Sequence, residues 1–364
     1  MAETGTHTYD ESKIKTLSSL EHIRTRPGMY IGRLGDGSHP DDGIYVLLKE
    51  TIDNSVDEFI MGHGKRIDIA IAENGEVRVR DYGRGIPLGK IIDCVSEINT
   101  GAKYNDDVFQ FSVGLNGIGA KAVNALSQSF TVTSVREGSF GSATFHNGEL
   151  QTEESGETDE PNGTEIRFLP DPAFFPHAQF DEAIIRRKLR NYAYLNSGLT
   201  LFYNSEKFHS DNGLYDLLLE KVENETVYSI VYYKKEQLEF ALVHTNSYGE
   251  TYYSFVNGQY TKDGGTHQSA FREGILKGIN EYAAKNLDAN DVRNGIVGAI
   301  AVKIKDPVFE SQTKNKLGTS EIRQSIVTEV KDVVQKHLHK NPEAAEKLFE
   351  KINQNEKLRK DIQA

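Results

Sequence analysis

Residues 66–83 can form little other than a β-hairpin, and the segment before them restricts the fold further. RIDIAIAE (66–73) and EVRVRDYG (76–83) each alternate apolar and polar residues, the period of a half-buried strand. Asn74-Gly75 joins them, and an Asn-Gly pair accepts the positive φ that a tight turn needs. Two strands cannot bury an apolar face alone, so the hairpin requires a covering layer. GIYVLLKETIDNSVDEFIM (43–61) supplies one, with Leu48, Ile52 and Phe59 on one helical stripe and Glu50, Asn54 and Asp57 opposite. Further strands are predicted at 130–136, 142–146 and 164–169. The expected result is an antiparallel sheet with helices on one side, an α+β layer.

A second unit is read from about residue 213 onward. Strand-like runs at 226–233, 238–244 and 251–256 precede Asn257-Gly258, followed by a long helix at 266–285 and a strand at 298–305. Ser320 is placed as the N-cap of the next helix, with Arg323 where a capping box carries Glu. Ile322, Ile326, Val330, Val333 and Val334 form its apolar stripe, and Asn341-Pro342 ends it. An amphipathic pattern then runs to the last residue, so a fragment of a longer polypeptide is expected. The length of 364 residues suits two domains. The expected division is a polar arm at 1–16 with Tyr9 and Ile14, a first domain at 17–212 and a second at 213–364.

Composition removes several classes of function. Lys and Arg number 42 against 54 Asp and Glu, a formal charge of -12, the wrong sign for a surface that grips duplex DNA. No segment approaches the roughly 18–20 consecutive apolar residues of a bilayer span, and the polar N-terminus is not a secretory signal. Cys94 is the single cysteine, which excludes an intramolecular disulfide and points to a reducing, cytoplasmic setting. It is read as a buried small hydrophobe. The eleven histidines show no metal-ligand spacing.

The glycine-rich stretch VGLNGIGAKAVNAL (113–126) spaces Gly114 and Gly119 as a Walker A loop does. Ala120 precedes Lys121, however, and Ala122 stands where Ser or Thr is required. Its exit into AKAVNALS reads as a helix start, and backbone N–H groups there can hold phosphate without a Walker lysine. DYGRGIP (81–87) places GxG after a strand, but Pro87 argues against a dinucleotide fingerprint. Each glycine cluster is also an ordinary turn when read alone. Glu50 can serve as general base on a hydrolytic water, with Asn54 one turn later giving an oxygen to Mg²⁺. A wetted helix face explains the same two residues. Asp81 reads either as a turn residue or as a carboxylate accepting from an exocyclic amine, with Gly85 leaving room for a flat base. Asp171-Pro172 and Asp306-Pro307 read as simple turns.

The order of these parts resembles the GHKL ATPase superfamily: a helix with Glu50 and Asn54, a strand ending Asp81-x-Gly-x-Gly, a glycine loop, then Gly163-Thr164 opening a strand. RTRPGMYIG (24–32), FVNGQYTKDGGTHQSAF (255–271) and SQTKNKLGTSE (311–321) narrow the resemblance to the ATPase subunits of bacterial type IIA topoisomerases, gyrase and topoisomerase IV. It implies a Bergerat-type α/β sandwich followed by a transducer domain of the ribosomal-protein-like α/β fold. It implies Glu50 as catalytic base and Asn54 as the Mg²⁺ ligand. Asp81, with Thr164 through water, would bind the adenine amino group. Gly85, Arg84, Ile86, Pro87 and Arg136 would border the pocket, with Arg84 pairing with Glu58. Lys103 and the loop Gly114-Leu115-Asn116-Gly117-Ile118-Gly119 would hold the triphosphate of ATP, and Gln312 and Lys314 would reach its γ-phosphate.

The same resemblance implies a homodimer closed around ATP by the arm, a separate DNA-cleaving subunit as partner in a heterotetramer, and duplex DNA as substrate. It also implies aminocoumarin-type inhibitors in the adenine pocket, a nucleoid-associated cytoplasmic location and no membrane. Val113, Asn116, Phe109 and Tyr82 depart from the commonest family pattern, as do Tyr45 and Val46, which stand where many members carry a histidine pair. The DDGIYVLLKE stretch and the short connection from Pro87 to Thr100 favour topoisomerase IV over gyrase. A GHKL chaperone, a mismatch-repair clamp and a histidine kinase are the remoter alternatives; SQTKNKL and RPGMYIG argue against the first two, and the kinase gives Gln312 and Lys314 no role.

Overall fold

The computed structural model describes residues 10–102, 117–222, 225–310 and 314–363. After a single 3-10 turn, Glu11–Lys13, the chain forms α1 (Ser19–Thr25), α2 (Gly28–Ile31), α3 (Gly43–Ile60), β1 (Arg66–Ile71), β2 (Val77–Asp81), α4 (Ile91–Ser96) and α5 (Gly119–Ala125). β3 (Ser127–Arg136), β4 (Ser139–His146), β5 (Glu149–Glu157), β6 (Gly163–Pro170), α6 (Glu182–Leu195), β7 (Thr200–Tyr203) and β8 (Glu206–His209) follow. The remainder is α7 (Leu214–Lys221), β9 (Val231–Lys234), β10 (Leu238–His244), β11 (Thr251–Val256), β12 (Gln259–Tyr260), α8 (Thr266–Ala283), α9 (Ala289–Arg293), β13 (Ile296–Val302), α10 (Arg323–Lys340) and α11 (Pro342–Gln363).

The strands build two sheets among the described residues, ordered β5-β4-β3-β6-β2-β1-β7-β8 and β12-β11-β13-β10-β9. Two apolar cores accompany them, one with buried members from Leu20 to Phe208 and the other from Leu214 to Ile352. The fold is mixed α+β, as the sequence implied. The first sheet is not purely antiparallel, because β1 runs parallel to β7 with Ile67 opposite Leu201. The β1–β2 hairpin is present in register Ile71 opposite Val77. Its turn is longer than Asn-Gly: only Gly75 takes a positive φ, +87°, while the Asn74 side chain accepts from the Glu76 N–H.

Several boundaries and elements differ from the sequence reading. β5 carries no sequence signal because ELQTEESGE is exposed at every position and so shows no burial period. β7 and β8 have four residues each, too few to carry a pattern. Residues 226–230 are not part of β9; Thr226 makes only an isolated bridge to Thr245. Ser320 is not an N-cap. The helix begins at Arg323 with Ile322 at the cap and no side-chain cap bond, and the Arg323 guanidinium bonds Ser269 and Glu273 of α8 at 2.9 and 2.6 Å. Asp171 is more than a turn residue, since it is buried and pairs with Arg24 at 2.9 Å, and Arg24 also donates to the Ala125 carbonyl. Cys94 is half-buried rather than buried.

Helix α3 is enclosed on both sides. Ile44, Leu47, Leu48, Ile52 and Val56 are within 1% of full burial, yet Asp53 and Asp57, off the apolar stripe, are buried as deeply. The polar face of this helix is therefore not a wetted surface. In the second unit α8 and α10 approach so closely that a Cβ on Gly274 would lie 2.7 Å from that of Val330, and one on Gly278 would lie 2.8 Å from the Lys331 carbonyl oxygen. Gly274→Leu should separate the helices and lower stability by about 1–3 kcal/mol through overpacking. Denaturant unfolding would read this as a lower midpoint, and an unchanged midpoint would show that the contact can relax.

Candidate active site

β2 carries the backbone out of the sheet at Asp81, whose side chain turns under α3. Its Oδ1 accepts the N–H groups of Gly83 and Thr164 at 3.0 and 3.1 Å, and its Oδ2 accepts the Ser55 hydroxyl at 3.0 Å. Burial outweighs these donors and pushes the Asp81 carboxyl up to about 6, with the nearby charge of Glu58 acting in the same direction. One carboxylate thus joins β2, the start of β6 and α3.

The turn after Asp81 is locked from both sides. Glu58 on α3 accepts from the Arg84 backbone N–H at 2.8 Å and from its guanidinium at 2.8 and 3.1 Å, a forked pair. Burial opposes ionisation of Glu58, but the Arg84 hydrogen bonds hold its carboxyl below the usual range. Gly85 adopts φ +78°, and a Cβ there would meet the Val135 carbonyl oxygen at 2.7 Å and the Ser134 hydroxyl at 2.9 Å. The glycine is needed for close approach of this turn to β3. Arg136 reaches the Gly85 carbonyl at 3.5 Å, and the Ser134 hydroxyl donates to the Ile86 carbonyl at 2.7 Å. Ile86 is half-buried and Pro87 exposed.

The end of the glycine stretch meets the same helix. Gly117 has φ +60°, Ile118 occupies the cap of α5, and a Cβ on Gly119 would fall 2.2 Å from Oε2 of Glu50. The start of α5 is therefore packed on the Glu50 carboxylate. Lys103, Gly114, Leu115, Asn116 and Gln312 lie outside the described residues, as do Tyr9, Phe109 and Val113. Lys314 is described, at φ +56°. Burial lowers its ammonium pKa, while Glu50 and Asp53 stand close enough to raise it and Lys49 to lower it. A residue between β13 and α10 of the second unit thus faces α3 of the first.

Glu50, Asn54, Glu58, Asp81, Arg84, Gly85, Ile86, Arg136, Thr164, Gly119 and Lys314 converge around α3 and the strand ends beside it. Ser55 gave no sequence signal, since it adjoins Asn54 without a motif of its own. Lys121 did give one, as the lysine of a failed Walker loop. Its ammonium is buried and donates to the carbonyls of Thr100, at 2.6 Å, and Gly117, tying a residue ahead of the glycine stretch to one within it. Burial pushes the Cys94 thiol up, so it is not a ready nucleophile. Among the described residues no group of three or more His, Cys, Asp or Glu side chains could hold a metal. Asn54, one helical turn from Glu50, offers a single amide oxygen, which fits a hard cation held mainly by phosphate and water.

Fold and site together define a nucleotide-binding ATPase module joined to a second α+β unit. Residues 40–173 match the model of the histidine kinase-, DNA gyrase B- and HSP90-like ATPases, and residues 203–364 match the DNA gyrase B model. The chain is 55% identical to the DNA topoisomerase 4 B protein of Borreliella burgdorferi, over 98% of this chain and 60% of that protein. It is 34% identical to the DNA gyrase B protein of Clostridium acetobutylicum, over 94% of this chain and 58% of that protein. The 43K ATPase domain of Thermus thermophilus gyrase B, solved with an aminocoumarin, superposes with a TM-score of 0.77 at 29% identity, covering 95% of this chain and 97% of that one. The chain belongs to the DNA gyrase B family, with a histidine kinase-, DNA gyrase B- and HSP90-like ATPase region in its first part. It spans about three fifths of the length of the first two relatives.

The buried Asp81 makes a signed prediction. Its folded pKa of about 6 lies above the ordinary 3.8, so its contribution to stability is fully present below about pH 4 and is lost as pH rises through 6. Asp81→Asn keeps the shape and can retain the bonds from Gly83 and Thr164 without the buried charge. The variant should melt above the parent at pH 8, by an amount worth about 3 kcal/mol at most, and the gap should close by pH 4. Thermal unfolding at the two pH values checks this, and a gap that does not change with pH would show that Asp81 is not desolvated.

Proposed function

We propose that this chain is the ATP-operated gate of a type IIA topoisomerase, of the topoisomerase IV kind. The observation that carries the reading is Lys314 of the second unit standing within electrostatic reach of Glu50 in the first. ATP would lie between the Asp81 turn and the start of α5. Asp81 would accept from the adenine amino group, assisted by Thr164, between walls formed by Arg84, Gly85, Ile86, Pro87 and Arg136. Lys103 and Gly114 to Gly119 would hold the triphosphate. Mg²⁺, when bound, would neutralise phosphate charge with Asn54 as its protein ligand.

Glu50 would take a proton from the attacking water as the terminal phosphate leaves. Gln312 and Lys314 would contact that phosphate, so the second unit would hold ATP more strongly than ADP. Such a difference in affinity is what biases the relative placement of two domains. On this reading 1–16 is a dimerisation arm, 17–212 the ATP-binding domain and 213–364 the transducer. Two copies would close on ATP and capture a duplex segment, with DNA cleavage supplied by a separate subunit of the heterotetramer. The formal charge of -12 agrees with a gate that surrounds DNA rather than gripping it. Aminocoumarins would compete for the adenine pocket, and the protein would work in the cytoplasm at the nucleoid. The 55% identity to a topoisomerase IV relative, against 34% to a gyrase relative, favours decatenation and relaxation over supercoiling.

Glu50→Ala should reduce ATP turnover by about 10²–10⁴ while leaving nucleotide binding nearly unchanged. Steady-state hydrolysis and calorimetry on one preparation test this, and near-normal turnover would remove Glu50 from its role. Lys314→Ala should weaken the preference for ATP over ADP and reduce dimerisation with a non-hydrolysable analogue in light scattering. A parent-like response would leave the loop as plain surface. With the full-length protein and its DNA-cleaving partner, ATP-dependent decatenation is expected; supercoiling of relaxed circles would make it gyrase.

A further inference from the structure

Asp41 and Lys262 lie 221 residues apart, one in each unit, and the Lys262 ammonium donates to the Asp41 carboxylate at 3.0 Å. Both are rooted in fixed backbone. Asp41 adjoins Asp42, the buried residue at the head of α3, whose Oδ2 accepts the Gly37 and His39 N–H groups at 2.9 and 3.1 Å. Lys262 follows Thr261, whose buried hydroxyl bonds the Ser254 carbonyl at 2.8 Å and the His267 Nε2 at 2.9 Å. The turn bearing Lys262 is in turn bonded to the limb bearing Lys314. The Asp263 N–H donates to the Asn315 carbonyl at 3.0 Å, the Leu317 N–H to the Gly264 carbonyl at 3.1 Å, and the Thr266 N–H to the Leu317 carbonyl at 3.1 Å. A Cβ on Gly265 would fall 2.4 Å from that Leu317 oxygen, so the two limbs touch along their backbones. Lys262 and Lys314 thus belong to one backbone-bonded block.

We propose that Asp41 and Lys262 are positioning residues, an anchor between the units that places the Lys314 limb over the first. The proposal rests on the reading of Lys314 as a contact to the terminal phosphate. The pair crosses from the second unit to the head of α3, about two helical turns ahead of Glu50. It supplies a point of attachment that no nucleotide has to make. Other charges surround it. His39 Nδ1, 3.8 Å from the Asp41 carboxylate, accepts the Asp41 N–H at 3.2 Å. Lys188 feels Asp41 together with Lys49, Arg187 and Asp53, and Asp263 and Tyr260 stand beside Lys262. Both partners of the pair are partly exposed. Such a pair shifts an equilibrium only about twofold to fivefold, so it biases the placement of the second unit without locking it. A ligand that needs Lys314 binds more weakly in proportion as the arranged state is depopulated. ADP lacks the terminal phosphate and should not sense the pair.

The test is calorimetry on the 364-residue chain with ADP and with a non-hydrolysable ATP analogue. Asp41→Asn and Lys262→Met should each weaken analogue binding by about twofold to fivefold, with ADP affinity unchanged. The double variant should lose no more than either single one, because the two groups act only through each other. That cycle also separates the pair from any effect of Asp41 on Lys188 or His39, which would add to the loss in Lys262→Met. Additive losses, equal losses for ADP and the analogue, or parent-like binding in both single variants overturn the proposal. If Asp41→Asn does not fold, Lys262→Met decides alone: a loss confined to the analogue supports the anchor, and any other result overturns it. Lys314→Ala run beside them separates the two levels. A parent-like preference for the analogue over ADP there defeats the reading of Lys314. A lost preference there, with parent-like Asp41→Asn and Lys262→Met, defeats only the anchor.

Discussion

An ionised group shut away from water costs several kcal/mol unless another group compensates it, and helix α3 buries Asp53 and Asp57 and half-buries Lys49, Glu50 and Glu58. Its enclosure is what the rest of the first unit is organised around. Asp53 takes Lys49 and the Tyr192 hydroxyl, and Glu58 takes the fork of Arg84. Ser55 reaches across to Asp81, and the first residue of α5 closes on Glu50. Each compensation fetches a different element to the helix: α6, the turn after β2, the end of β2 and the glycine stretch. The polar contacts that relieve α3 also assemble the site.

The glycines along the site act as contact surfaces as much as hinges. A methyl group on Gly83 would strike the Glu58 side chain at 2.7 Å, and one on Gly163 would strike the Asp81 carbonyl oxygen at 2.1 Å. Side-chain-free backbone at these points lets the Asp81 turn, β3, β6 and α3 come within van der Waals distance of one another. Donors such as the Gly83 and Thr164 N–H groups are then delivered to one carboxylate by backbone rather than by flexible side chains. That is a low-entropy way to fix an acceptor, because no rotamers have to be frozen.

Much of this is legible in the chain itself. The alternation in 66–83 is a direct image of one wet and one dry face, and the 43–61 stripe is the core-facing side of α3. Asp81 can be placed because a strand pattern stops there and two glycines follow. What cannot be read is what depends on contacts distant in sequence. The burial of Asp53 and Asp57 requires α6, more than a hundred residues away, and β5 and β8 have no period because little of them is buried. The Arg323 side chain likewise bonds Ser269 and Glu273 on another helix, a contact that its position after Ser320 does not announce. Lys121 is visible as a mismatch to a phosphate motif, but its buried bond to Thr100 belongs to tertiary structure.

β5 ends the larger sheet with every residue exposed and with Glu149, Glu153, Glu154 and Glu157 along it. A free strand edge offers unpaired backbone groups to any other strand, and identical chains brought side by side are the nearest candidates. Four like charges on nine residues oppose that pairing, because a second copy laid alongside would set acid against acid. The acidic border of the sheet makes lateral stacking unfavourable and leaves the chain free to associate elsewhere.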